Sequence, residues 1–181
     1  VITELVITEA ALFALFHAPN RPLTLETVPL HHPQPETVRV RVRGCTLCAS
    51  DLHTITGRRE SPVPSVLGHE IVGAIEAFGE NTPQTDFFGK PLTIGSRVVW
   101  SVAVGCGICF RCRRGMPQKC LTLFKYGHER WEPGQIPMGG LSTHCQLRPN
   151  TTILPVPPPL SDGLACIATC AGATVMAAVR S

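Results

Sequence analysis

Aromatic side chains are scarce in this chain: seven Phe, two Trp and one Tyr make up 6% of its 181 residues. That is too few for the interleaved stacking rings on which single-stranded nucleic acids are held. Charge is sparse as well, at 16% of residues, and it nets to only +3 with histidine neutral. A surface built for a polyanion or an anionic membrane is therefore not expected. No G-x-G-x-x-G turn occurs; the nearest text, "GCGIC" from Gly105 to Cys109, lies inside a cysteine-rich run. The usual receptor for a dinucleotide pyrophosphate is thus missing. The apolar opening "VITELVITEAALFALFHAP" lacks a basic start and contains Glu4 and Glu9, so it is read as neither a signal peptide nor a membrane span. Its near-repeat of "VITE" is too short to mark repeat architecture. The expectation is a cytoplasmic protein with a small-molecule partner, and no nucleic acid or membrane.

What the chain does have is turns and short apolar runs. Its 17 prolines and 16 glycines punctuate it too often for long helices, and 44% hydrophobic content suffices for one substantial core. In "TVRVRVRG", Val38, Val40 and Val42 alternate with Arg39, Arg41 and Arg43, the pattern of a half-buried strand. Further strands are expected in "LFALF", "LTLETVPL", "HEIVGAIEAFG", "SRVVWSVAV", "STHCQLRP" and "TTILPVP". So many short strands between Gly, Pro, Asn and Asp clusters predict a mainly β fold, a closed or partly open barrel. From Ser161 the Ala-rich "SDGLACIATCAGATVMAAVRS" carries helical spacing instead.

Nine cysteines are present, several at the two-residue intervals that suit a metal better than a disulfide framework. "CGICFRCRRGMPQKC" supplies Cys106, Cys109, Cys112 and Cys120, and four thiolates match the tetrahedral shell of a structural zinc. Gly105, Gly107 and Gly115 permit the tight turns such a loop requires. A disulfide cluster fits a reducing compartment poorly, while an iron–sulfur cluster uses the same ligand type. Arg111, Arg113, Arg114 and Lys119 make the lobe basic; with net charge so low, a solvated face is the better reading than a nucleic-acid module.

The remaining cysteines are Cys45, Cys48, Cys145, Cys166 and Cys170, beside seven histidines. In "GCTLCASDLH" the pair Cys45 and Cys48 reads as a redox dithiol, a metal half-site, or one working cysteine beside a bystander. A short helix should follow, capped by Ser50 with Asp51 in its first turn. His69 stands out in "VLGHEIVG", where Gly68 allows close backbone approach and Glu70 adds a carboxylate. A catalytic zinc takes three protein ligands and leaves one position open, and two cysteines with one histidine are a known solution. Cys45, Cys145 and Cys166 are most simply small buried hydrophobes, and His17, His31, His32, His128 and His144 have no evident partner.

The residues "CASDLH" at 48 to 53, "GHE" at 68 to 70 and the Cys106/109/112/120 run, in this order, resemble the zinc-containing medium-chain alcohol dehydrogenases. The resemblance implies a GroES-like, partly open β-barrel over 11–159 with its zinc lobe at 105–121. It also implies an N-terminal extension over 1–10 and a helical connection over 160–181 toward a Rossmann domain that this chain lacks. It further implies a catalytic zinc on Cys48, His69 and Cys170, a structural zinc on the four-cysteine lobe, and NAD or NADP bound mainly by that other domain. Cys166 rivals Cys170, but Thr174 follows Cys170 by four residues, where the family often sets a threonine beside the nicotinamide. Ser50 would take the alcohol proton, His53 would end the relay at the surface, Asp51 would orient His69, and Glu70 would act near the metal. The substrate would be an alcohol or carbonyl compound, and the parent enzyme a homo-oligomer. "KYGHE", Lys125 to Glu129, is similar to a subgroup linked with phosphonate breakdown. A truncated zinc-binding module without turnover of its own is the alternative reading.

Overall fold

The computed structural model describes residues 9–180. The expected extension over 1–10, with its "VITE" near-repeat, lies almost wholly outside the described residues, as does Ser181; Ala10 already belongs to a strand. That strand, β1 (Ala10–Leu15), pairs antiparallel with β2 (Thr24–Pro29). Alternation in β1 buries Ala11, Phe13 and Leu15, and the Phe13 ring meets Trp131 at 5.0 Å between centroids.

The main sheet is built from β3 (Val38–Thr46), β4 (Glu70–Phe78) and β5 (Arg97–Trp100). A small ribbon of β6 (Ala103–Val104) and β7 (Phe124–Lys125) stands apart, while β8 (His144–Leu147) and β9 (Ile153–Pro155) return to the sheet edges. The order is β8-β3-β4-β5-β9, antiparallel throughout. The fold is mainly β, as the turn-rich composition predicts. Val38, Val40, Ile71, Ile75, Val98, Trp100, Tyr126, Cys145 and Leu147 fill one core between these elements. Burial of such side chains contributes roughly 1.5–3 kcal/mol each.

Two elements depart from the sequence reading. "SRVVWSVAV" is one apolar run, yet it forms two strands in different sheets, because at Ser101 and Val102 the chain changes partners from Thr152 to Tyr126. β7 has only two residues, too short for any period to announce it. The β3/β4 ladder also shifts register between Arg39 and Val40 and between Val42 and Gly44, irregularities of the kind that bend a strand and increase its twist.

On the sheet, Glu76 of β4 receives Arg39 Nε at 2.6 Å and Arg41 Nη2 at 2.9 Å, with His144 Nε2 at 3.3 Å. Burial opposes its charge, but the two guanidinium hydrogen bonds outweigh that and hold its carboxyl below the usual range. Glu76→Gln is expected to cost about 2 kcal/mol at neutral pH, since the site is partly screened. A carboxyl with a lowered folded pKa stabilises the fold above its unfolded value, near 4.3. The difference between wild type and variant should therefore hold at pH 7 and shrink as pH falls below about 4. Urea titrations at the two pH values measure it.

The C-terminal segment is helical in three pieces: α3 (Asp162–Ile167), a π-helical turn over Ala168–Gly172, and α4 (Ala173–Arg180). These are the third and fourth α-helices, after α1 (Ala49–Ile55) and α2 (Phe110–Arg113). Ser161 caps α3, its hydroxyl accepting from Leu164 N, and Ala165 and Cys166 pack on Val72, Val99 and Val156. The run Asp162–Val179 has mean hydropathy 1.6 and by length and composition alone would cross a bilayer. Its first turns are instead committed to the sheet, while Leu164, Ile167, Val175, Met176 and Val179 stay exposed.

Candidate metal centres

The lobe over 105–121 brings Cys106, Cys109, Cys112 and Cys120 together, their sulfurs all within 4.8 Å of one another. Cys109 opens α2 and Cys112 lies within it. Gly107 and Gly115 both adopt left-handed φ, near 75°, which a side chain disfavours. Backbone N–H groups of Cys106 and Thr122 point at Cys120 Sγ, at 3.2 and 3.4 Å, and that of Cys109 at Cys106 Sγ, at 3.4 Å. Such donors stabilise thiolates. Hydrogen bonds from Leu121 and Cys112 N–H bring Cys109 down to about 6, whereas desolvation and the Cys109 sulfur push Cys112 up to about 12. Four crowded sulfurs cannot all ionise without a cation among them. A zinc ion with bonds of ~2.3 Å sets tetrahedral sulfurs ~3.8 Å apart; Cys109 and Cys120 lie 4.0 Å apart. All nine cysteines are free, and that separation far exceeds the ~2.05 Å of a disulfide.

The lobe does carry one aromatic that the sequence reading passed over. Phe110 is exposed, with the guanidinium groups of Arg111 and Arg114 at 5.4 and 5.9 Å from its ring centroid. One ring occupied by its own neighbours is not a stacking platform.

The second group joins three distant parts of the chain: Cys48, His69 and Cys170, with ligand atoms again within 4.8 Å. Cys48, not Ser50, is the N-cap of α1, and Ser50 lies inside the helix. The reason is Asp51: its Oδ2 accepts from Cys48 N at 2.9 Å, closing the first turn two residues earlier. Asp51 is fully buried. Its Oδ1 also accepts from Gly68 N at 3.3 Å and lies 3.3 Å from His69 Nδ1. One carboxylate thus ties the cysteine turn to the histidine turn and leaves His69 Nε2 for a metal. Burial opposes the Asp51 charge, yet His69 and the two N–H donors keep its carboxyl below the ordinary value.

Gly68 adopts φ 88°, and a Cβ there would lie 2.7 Å from Cys45 Sγ. Cys45 is therefore wedged behind the His69 turn, and its burial pushes the thiol up to about 12. It is half-buried and packs against the main core, whereas Cys145 and Cys166 are fully buried. Cys48 differs. The backbone N–H of Ser50 hydrogen-bonds its sulfur and, with the Ser50 hydroxyl and His69, lowers its pKa against burial.

Cys170 sits in the π-helical turn between α3 and α4. Such bulges recur at functional positions because the extra residue re-aims a side chain without ending the helix. Burial, then the negative charges of Cys48 and Glu70, push Cys170 up to about 12. Glu70 is buried, accepting from Thr46 Oγ1 at 2.7 Å. Thr174 spends its hydroxyl on Cys170 O at 2.8 Å, and His53 is exposed on α1.

The unassigned histidines divide. His17 bonds Thr24 at 2.8 Å, and His144 is held by Thr143 and Glu76. His31 and His32 line a cleft of about 590 Å³ with Phe124, Glu129, Gln146 and Arg148, which shares no residue with either metal group. His128 alone joins the site, its ring 4.7 Å from that of His69. Burial, then the charges of His69 and Arg59, bring its pKa down to about 4, so it is neutral. No spacing in the sequence announced it, because it follows a two-residue strand and has no partner nearby in the chain.

One mainly β domain thus joins a four-cysteine lobe to an open Cys-His-Cys group. The family model for the alcohol dehydrogenase GroES-like domain matches residues 34–158; the chain belongs to that family. Class-3 alcohol dehydrogenase of Pisum sativum is 37% identical over 103 residues, 56% of this chain and 25% of that protein. Among solved structures, an alcohol dehydrogenase from Thermotoga maritima superposes with a TM-score of 0.87 at 27% identity, covering 96% of this chain and 48% of the other. Acetophenone reductase from Geotrichum candidum, solved with NAD, gives 0.71 at 28% identity, over 90% and 45%. The chain thus spans about half the length of its solved relatives and about a quarter of the curated one.

Proposed function

We propose that this chain is the catalytic domain of a zinc-dependent alcohol dehydrogenase, which oxidises an alcohol to an aldehyde or ketone with hydride passing to NAD or NADP. The observation that carries the reading is the convergence of Cys48, His69 and Cys170 from three separate elements. These three would hold a catalytic zinc, and Cys106, Cys109, Cys112 and Cys120 a structural one. Bound zinc would supply Lewis acidity that lowers the pKa of a hydroxyl beside it. Asp51 fixes the tautomer and direction of His69. Ser50, whose hydroxyl lies at the Cys48 sulfur, takes the alcohol proton, and exposed His53 passes it to solvent. Glu70, buried beside Cys170, sets the charge behind the ligands. Thr174 stands four residues past Cys170, where the nicotinamide would approach.

The dinucleotide is assigned mainly to a part of the parent protein outside this chain's match, because the sequence holds no G-x-G-x-x-G turn. That same observation favours a second reading, a zinc-binding module with no turnover of its own. The parent is taken to be a cytoplasmic homo-oligomer acting on a small alcohol or carbonyl compound. Metal analysis tests the site directly: two zinc ions per chain are expected in the wild type and in Cys45→Ala, and one in Cys48→Ala. One ion in the wild type would sink the catalytic assignment. With two ions bound, nicotinamide-dependent alcohol oxidation by the chain alone decides between the two readings.

A further inference from the structure

Cys170 reaches its site from a segment with little burial of its own. Over residues 167–179 no side chain is buried, and Val175, Met176 and Val179 stand exposed along α4. What fixes Cys170 must therefore lie upstream, in α3. Asp162, Cys166 and Cys170 are spaced by four residues, so they follow one another along one side of the helix. In a purely α-helical run that row would drift, because four residues exceed the about 3.6 of a turn. The wider π-helical turn over Ala168–Gly172 takes up the excess.

The first two residues of the row are held by the sheet. Asp162 Oδ2 accepts from Arg43 Nε of β3 at 2.9 Å, and Oδ1, shut off from solvent, faces Arg97 Nη1 of β5 at 3.4 Å. Arg97 also donates through Nη2 to Pro157 O at 2.8 Å and to Leu160 O, so one guanidinium gathers the approach to α3 together with its first turn. Further along, Cys166 is buried against Val72, and a Cβ at Gly44 would lie 3.4 Å from its sulfur. Arg43 and Gly44 belong to the strand that runs on to Cys48, and Val72 to the strand that begins directly after His69. The helix carrying the third ligand is thus referenced to the two strands that carry the other two. An acidic residue in a first helical turn is favoured by the helix dipole alone, but that role requires no partner on the sheet, and here two arginines from two strands supply one.

We propose that Asp162 is a positioning residue for the third metal ligand: clamped by Arg43 and Arg97, it sets how α3 lies on the sheet and hence where the π-helical turn places Cys170 relative to Cys48 and His69. This rests on the catalytic-zinc reading of those three residues. Zinc sites hold their ligand distances to within about 0.2 Å, so a small slide of α3 is enough to weaken the site. The Arg43 pair is half-exposed, and such pairs add little to global stability. The effect of the clamp therefore falls on the metal site.

The test uses the whole chain, with zinc affinity read by competition against a chelator and cobalt(II) absorption reading ligand geometry. Asp162→Asn should lower affinity at the Cys48 site about tenfold, the low end of what losing a supporting residue does at a metal centre. It should also shift the part of the cobalt–thiolate absorption that Cys48→Ala abolishes, while affinity of the four-cysteine lobe stays unchanged. Arg43→Gln, which leaves α3 itself untouched, should act in the same direction. Ser161→Ala is the control: it removes the hydroxyl that caps α3 and loosens the helix without touching the clamp, so affinity and absorption should match the wild type. Wild-type affinity and absorption in either clamp variant overturn the proposal. An equal loss in Ser161→Ala overturns it too, since helix stability alone would then govern the site. A wild-type chain that binds one zinc, or that keeps two after Cys48→Ala, refutes the catalytic-zinc reading and this inference with it.

Discussion

Chelating the zinc proposed for the four-cysteine lobe is expected to unfold residues 105–121 while the five-stranded sheet survives. The lobe has almost no apolar interior of its own: Ile108 and Phe110 are exposed, and Met116 is exposed as well. Its order rests on four sulfurs and the N–H groups aimed at them. Structural zinc in comparable small sites contributes about 10–16 kcal/mol of apparent free energy, far above what α2's four residues could supply. Limited proteolysis after chelation should therefore cut first among Arg111, Arg113, Arg114 and Lys119. Cys112→Ala should give the same cleavage without chelator. Retention of protease resistance in the metal-free chain would show that the lobe is held by packing instead.

Asp51→Ala is the other large effect. The carboxylate is fully buried and serves Cys48 N, Gly68 N and His69 at once. Its removal leaves two backbone donors and an imidazole nitrogen without their acceptor, a loss of about 3 kcal/mol or more. For a domain of this size that corresponds to a fall of roughly 10 °C in Tm. Loss of the group that orients a ligating histidine typically weakens metal binding 10- to 100-fold. Calorimetry and competitive zinc titration measure the two parts separately. Asp51→Asn retains the shape and one acceptor, so it should recover part of the stability and little of the metal affinity. Wild-type zinc affinity in either variant would show that Asp51 acts on the fold alone.

How far the sequence reaches varies from element to element. Alternation announced β3, and length and turn residues announced most other strands. The helix start was misplaced, because Ser50 is a preferred cap by type, whereas the carboxylate of Asp51 turns Cys48 into the actual first residue of the turn. "SRVVWSVAV" could not reveal its division, since the break at Ser101 and Val102 comes from partners 24 and more residues away, Tyr126 and Thr152. The π-helical turn around Cys170 leaves no mark in an Ala-rich helical pattern.

The sequence by itself determined the four-cysteine cluster, because its four cysteines are local and their short spacing brings the sulfurs together. It also singled out Cys48, Asp51, His69 and Glu70 as chemistry-bearing residues through motifs a few positions long. Only the tertiary structure decided which distant groups join them. Cys170 stands more than a hundred positions from Cys48, and it reaches the site because α3 packs on the sheet and the following turn re-aims it. His128 reaches the site because two glycine turns touch backbone to backbone. Contacts of that kind are made by how strands pair and turns stack, and no period or motif within one segment encodes them.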